Sequence, residues 1–166
     1  MTLVLQCITA CIIFTIIILS PLYKNPLTQI MSYPTSIRKR VEELPKYSSE
    51  IKSVQRSHII RKVLALFIFS FILAIVAYLS EAKTFSSAFQ HVFILSFTVN
   101  IYDVLVLDIG LFCHDKKVII PGTEDMIEEY KNPWHHIRGA LIGAVVGVVV
   151  SILAGTFVYG YNLILL

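Results

Sequence analysis

The chain has only three cysteines and no Cys-x-x-Cys pair. Cys7 and Cys11 stand one helical turn apart in an apolar run and Cys113 stands alone, so neither a disulfide framework nor a thiolate zinc site is suggested; all three read as small buried hydrophobes. His-Glu-x-x-His, a Walker phosphate loop and Gly-x-Ser-x-Gly are also missing, which removes the sequence grounds for a zincin, a P-loop NTPase or an α/β-hydrolase. No Lys or Arg precedes the first apolar run, and Ser20-Pro21-Leu22 is a poor cleavage site, so that run reads as a retained span, not a secretory signal. The alternating segments of about 10 residues that mark membrane β-barrel strands are absent as well.

Apolar residues dominate what is present. The 166 residues are 56% hydrophobic with a mean hydropathy of +0.75, above the roughly 45 to 50% apolar usage of soluble domains. Four runs, Thr2 to Ser20, Val63 to Ser80, Phe85 to Phe112 and Ala140 to Leu166, are near or above the roughly 20 residues needed to cross a bilayer. The expected fold is all-α: one polytopic membrane domain, a four-transmembrane-helix bundle with a short interfacial amphipathic helix.

Basic residues orient that bundle. The Pro21 to Lys62 loop holds nine Lys and Arg and the Cys113 to Arg138 loop four, against one in the Glu81 to Thr84 turn. Thirteen against one predicts both long loops in the cytoplasm and both termini outside it, in the cell membrane. The net charge of +3 then points to anionic lipid at the cytosolic face, with no separate support for a nucleic-acid partner.

In the first long loop, Ile37, Val41 and Leu44 recur at i, i+4, i+7 among charged residues, the pattern of a helix lying on the membrane and stopped by Pro45. A second helix, capped by Ser48 or Ser49, is expected to run through Ile51, Val54 and Ile59 into the second span, with His58, Arg61 and Lys62 at headgroup level. In the second loop, Val118 to Ile120 favours an extended run, Pro121-Gly122 a turn, and Thr123 the N-cap of a short helix carrying Glu124 and Asp125 in its first turn. Asn132-Pro133 ends that helix, and Trp134 is expected to anchor at the interface ahead of His135, His136 and Arg138. The last span carries Gly139, Gly143, Gly147, Ser151 and Gly155 at every fourth position, a stripe that lets another helix approach closely, whether the third span or a second copy of the chain.

Chemistry is expected where polar residues interrupt the third span. Asn100 falls near mid-membrane and Asp103 one turn further, where an ionised carboxylate costs about 2.5 to 3.5 kcal/mol on insertion scales unless it finds a partner. Asp103 is therefore either a functional group (ligand, ion or proton handling) or one partner of an interhelical hydrogen bond to an Asn or Tyr that holds the bundle. Asp108 lies about 7.5 Å further along an α-helix and about 140° around it, and has Arg138 or a lysine as possible mates. Glu124 reads either as a helix acid or as a site residue, and His135 and His136, being adjacent, cannot both face one site. Asp103, Asp108, Glu124 and His136 form a carboxylate and imidazole set able to bind a divalent cation, with Asn100 and Arg138 as further ligand-binding candidates.

The residues Asp103, Leu107-Asp108, Ile120-Pro121-Gly122-Thr123-Glu124, Tyr130 and His136-x-Arg138-Gly139 resemble a family of small four-span prokaryotic membrane proteins. The resemblance covers about the C-terminal half, implies no reaction, and supports reading Asp103, Asp108, Glu124 and His136 as one constellation. Many members of that family carry an aromatic residue after the second Asp, where this chain has Ile109-Gly110. Three functions follow: a polar site at the cytosolic ends of spans three and four for a cation or a small polar or lipid headgroup; a non-catalytic subunit forming a homo-oligomer through its glycine stripe; or a small proton-coupled transporter using Asp103. The topology is checked by impermeant thiol labelling of intact cells. Cysteines placed in 21–62 or 113–138 should stay unmodified from outside, and labelling of either loop would reverse the orientation.

Overall fold

The computed structural model describes residues 2–165, apart from the side chains of 48–50, 52–59 and 165. Among the described residues every regular element is helical. Helix α1 covers Leu3–Lys24, a 3₁₀ segment Pro26–Ser32, α2 Thr35–Glu43, α3 Ser48–Leu79 and α4 Phe85–Tyr102. The third span continues without a break as a π-helix, Asp103–Phe112; short 3₁₀ turns at Lys116–Val118 and Glu124–Met126 and the single turn α5, Ile127–Tyr130, lead to α6, Trp134–Leu165.

Four helical stretches are long and apolar enough to cross a membrane: Leu3–Lys24, Ile60–Leu79, Phe85–Phe112 and Trp134–Ile164. The first continues past Ser20 through Pro21, and the fourth begins six residues ahead of the expected Ala140, which puts His135, His136 and Arg138 on the helix itself. At 1.5 Å per residue the 32 residues of α6 measure about 48 Å, well beyond a hydrocarbon core of about 30 Å. As expected, α3 joins the loop helix and the second span in one rod, with Tyr47 at its N-cap position. The expected roles of the Ser48 and Ser49 side chains and of Val54, His58 and Ile59 lie outside the described residues.

Two cores hold the chain. Within the spans, Ala74, Ala77, Ala88, Val92, Val150, Ala154 and Val158 bring α3, α4 and α6 together through small side chains. Lipid tails are as apolar as these residues, so close packing rather than water exclusion drives that contact. The first span is peripheral: 6% of its apolar window is buried, against 28% for the fourth. It is fastened to α4 by polar contacts, Thr15 Oγ1 to Tyr102 Oη at 2.8 Å and Gln6 Oε1 to His91 Nε2 at 2.7 Å, with Gln6 Nε2 also donating to Ser80 Oγ at 2.7 Å.

The second core lies at the end of the bundle that carries both long loops. Leu22, Leu27, Ile30, Tyr33, Ile37, Val41, Ile51, Phe112, Val118, Ile120 and Tyr130 form one buried cluster. The amphipathic helix exists as α2, but the expectation that its apolar face lies on the bilayer is corrected: Ile37 and Val41 are fully buried in this loop core, because the second loop folds over them. Ser36 Oγ donates to Glu129 at 2.7 Å and Arg40 pairs with Asp125 at 3.6 Å across the same junction. The expected extended run at Val118 to Ile120 is instead the end of a 3₁₀ turn followed by an extended Ile119.

The glycine stripe receives the third span of the same chain. A Cβ at Gly147 would meet Ser96 Cβ at 3.4 Å, one at Gly155 would meet the Phe85 carbonyl oxygen and ring at 3.0 Å, and one at Gly143 would run into Asn100 Oδ1. Gly139 has open space, and Ser151 is buried with its hydroxyl returned to the Gly147 carbonyl. These distances separate the positions. Gly155→Ala gains about 1 kcal/mol of helix propensity but drives a methyl against backbone, so it should lower stability in detergent by about 1 to 3 kcal/mol, whereas Gly147→Ala should be neutral or stabilising and Gly147→Leu destabilising. Equal melting temperatures for Gly155→Ala and the native chain would contradict this packing.

Candidate functional site

The π-helix decides which polar residues meet. An α-helix would turn Asp103 and Asp108 well away from each other; i to i+5 hydrogen bonding instead stacks residues five apart on one side. The Cys113 N–H bonds the Asp108 carbonyl at 3.0 Å in that pattern, and Leu107 and Phe112, also five apart, are both buried on the inward side. Asp103 and Asp108 therefore share a face, correcting the divergence expected from regular α geometry, and Asp103 lies near both Asp108 and His136.

At the centre, His136 Nδ1 is 3.1 Å from Asp108 Oδ1. The carboxylate accepts, so the Nδ1–H donates, and Nε2 of a neutral ring is left with a lone pair. The imidazole is 4% exposed and its Nε2 has no partner among the described residues; the Asp108 side chain is 29% exposed. Beside the pair is a cavity of about 30 Å³ lined by Ile18, Leu19 and Leu22 of α1, Gln29, Ser32 and Tyr33 of the first loop, and Leu107, Asp108, Phe112 and His136. A carboxylate and an imidazole facing a small void can accept hydrogen bonds, hold a positive group or pass a proton.

The ring is held by the loop core. Phe112 stands edge-on to His136 with centroids 4.9 Å apart and edge-on to Tyr33 at 4.9 Å, while Tyr130 completes the cluster 6.0 Å from Tyr33 and 6.2 Å from Phe112. His135 points elsewhere and donates from Nε2 to the Ser32 carbonyl at 3.0 Å, drawing the first loop over the site. Burial, and to a lesser degree the neighbouring Tyr130, pushes the Tyr33 hydroxyl far above the ordinary tyrosine range; it donates to the Val118 carbonyl at 2.9 Å.

The Ile-Pro-Gly-Thr stretch makes this scaffold. Gly122 has φ +99° in the tight turn closed by the Thr123 N–H on the Ile120 carbonyl at 3.1 Å, a conformation that favours glycine. Thr123 is not the side-chain cap expected; it is fully buried, and its hydroxyl donates to the Ile120 carbonyl at 2.7 Å. With that proton committed, the Tyr130 hydroxyl must be the donor in its 2.7 Å contact with Thr123, and it accepts from the Ile120 N–H at 3.0 Å. Burial pushes the Tyr130 hydroxyl above its ordinary value, which keeps it a neutral donor.

The other sequence candidates separate from the site. Glu124 is exposed and folds back to accept the Gly122 N–H at 2.8 Å, so it does not join Asp103, Asp108 and His136. Among the described residues no three His, Cys, Asp or Glu side chains converge as a metal-ligand set, so this structure does not bring the four expected ligands together. Asn100 donates from Nδ2 to the Ala140 carbonyl at 3.1 Å and packs over Gly143, which makes it a link between α4 and α6. Arg138 is exposed, and Asp108 pairs with His136 in place of it. Among the described residues no hydrogen bond from Asp103 to an Asn or Tyr is present; Tyr102 binds Thr15 instead. Gln29, Ser32 and Tyr33 carry no local signal as site residues, since only folding brings the first loop over α6.

Compared with models of protein families, with curated proteins and with solved structures, the chain shows no match. The support for the site is therefore its geometry. Thr123→Val should strand the Tyr130 donor and lower stability by about 1 to 3 kcal/mol. Tyr130→Phe, which strands the Ile120 N–H, should cost a similar amount, and the double variant should cost less than the sum of the two. Additive losses in denaturation would show that the hydroxyls do not act as one network.

Proposed function

We propose that this membrane protein binds a cation or a small polar or lipid headgroup at the cytosolic ends of spans three and four, with Asp108 and His136 as the contact pair and Asp103 as the acid beneath them. The observation that carries the reading is the buried imidazole, held by a carboxylate on one nitrogen and unpartnered on the other, beside a cavity. A polar nitrogen withdrawn from solvent costs stability unless something meets it, and Asp103 adds a carboxylate inside a span at further cost. Such costs are sustained where a ligand repays them. Among the described residues Asp103 has no hydrogen bond to an Asn or Tyr, which favours this over a purely structural acid, for which a bonded partner is the reason to exist.

The orientation belongs to the same reading. The basic bias of thirteen to one supports a cell-membrane protein with its loop core in the cytoplasm, its termini outside and anionic lipid around the loops. The resemblance of Asp103, Asp108 and the Pro-Gly-Thr-Glu stretch to small four-span membrane proteins supports a prokaryotic host. Because α4 already fills the stripe at Gly143, Gly147 and Gly155, oligomerisation through those glycines is the weaker alternative.

The test is a thermal-shift screen of detergent-solubilised protein against mono- and divalent cations and soluble headgroup analogues. A ligand at a hundred times its Kd stabilises by about 2.7 kcal/mol. Asp108→Asn and Asp103→Asn should keep the fold and lose that stabilisation, and Asp103→Leu should fold as well, since no hydrogen-bond partner is stranded. Stabilisation undiminished in both Asn variants would sink the proposal.

A further inference from the structure

We propose that the cavity beside His136 is a binding site for a primary ammonium group, carried either by a lipid headgroup or by a free amine. The inference rests on the polar-site reading above and narrows it to one chemistry. Its starting point is His136 Nε2, which belongs to a side chain 4% exposed and lacks a hydrogen-bond partner among the described residues. With the ring neutral and its Nδ1–H given to Asp108, Nε2 offers a lone pair, and a partner that hydrogen-bonds to it brings an N–H or O–H of its own.

Size restricts the choice. The cavity is small, about 30 Å³, and favours a compact tip such as an ammonium group over a bulky one such as trimethylammonium. Charge restricts it further. Asp108 and Asp103 lie on one face, while the N-terminus of α6 contributes only about half a positive charge, and Arg38, the cation close to His135, is already paired with Glu42 at 3.9 Å. The balance favours a cation over a neutral hydroxyl and disfavours any anion.

An ammonium group also suits the walls. It has three hydrogens, of which one meets Nε2 and one the Asp108 carboxylate, and the carbon behind it faces Ile18, Leu19 and Leu22. Ser32 is exposed and the Asp108 side chain 29% exposed, so the cavity has access on their side. The peripheral first span forms the apolar wall, and the Gln29 amide, donating to the Ile18 carbonyl at 2.8 Å, ties the first loop to that wall.

The experiment is nitrogen-15 NMR of the full chain with labelled histidine, the His136 signals being assigned with His136→Gln. The protein is placed in vesicles of phosphatidylcholine alone, of phosphatidylcholine doped with phosphatidylethanolamine, and of phosphatidylcholine with added methylammonium or tetramethylammonium chloride. At about pH 8 a reference imidazole is neutral and an alkylamine protonated. The Nε2 resonance should leave its lone-pair position with phosphatidylethanolamine, with methylammonium, or with both, and stay with tetramethylammonium; Asp108→Asn should reduce the response at least tenfold. Response to the doped vesicles alone assigns a lipid headgroup, and response to methylammonium assigns a free amine. A resonance indifferent to both amines, with water as the only contact, overturns the inference, as does an equal response to the tetramethylated ion. If His136 answers instead to a divalent cation or to a polyol, the ammonium assignment fails while the polar-site reading stands; silence toward every probe removes both.

Discussion

The close approach of α4 and α6 is the constraint on which the remaining structure depends. Where α6 lacks side chains, at Gly143, Gly147 and Gly155, α4 supplies Asn100, Ser96 and Phe85, and the Asn100 amide reaches the α6 backbone at Ala140. Lipid provides no hydrophobic drive for that contact, so its stability comes from short-range packing and from a hydrogen bond in a medium with no competing water. Continued toward the loop end, the same seam brings Asp108 within 3.1 Å of His136.

The loop end then does what a span cannot do. Its core of Tyr33, Phe112, Tyr130 and aliphatic residues from both long loops resembles a small soluble core laid across the end of a bundle. It holds the His136 ring through Phe112, covers it with the first loop through His135 and Ser32, and leaves one nitrogen of the ring without a partner among the described residues. Thr123 and Tyr130 satisfy each other and the Ile120 backbone, so the scaffold around the site is rigid where polar groups are fully paired and open only at the cavity. The contrast between a satisfied scaffold and one unsatisfied atom is what marks the site.

Legibility differed by element for physical reasons. The four spans were readable because 20-residue apolar runs admit few alternatives, and the third span, Phe85 to Phe112, has the same bounds in sequence and structure. The last span starts earlier than its hydropathy suggests, since Trp134 to Gly139 is polar enough to pass for loop although its backbone continues the helix. The amphipathic pattern of Ile37, Val41 and Leu44 identified a helix but not its neighbour: an apolar stripe is equally suited to a bilayer surface and to a loop core. The π-helix had no signal, because five-residue periodicity is invisible in a segment where nearly every residue is apolar.

From the sequence alone followed a four-span helical protein, a strong basic asymmetry between its loops, a glycine stripe for a helix partner and a short roster of acids and histidines. Composition and period carry that information because hydrocarbon tolerates so few backbone arrangements. Tertiary structure alone decided which members of the roster meet. It took Glu124 away to the Gly122 amide, gave Asn100 to the α6 backbone, left Arg138 in the open and joined Asp108 to His136 with Gln29 and Ser32 alongside. Those choices depend on a wider helical turn and on loops packed across a bundle end, and such contacts between residues distant in the chain leave no period in the sequence.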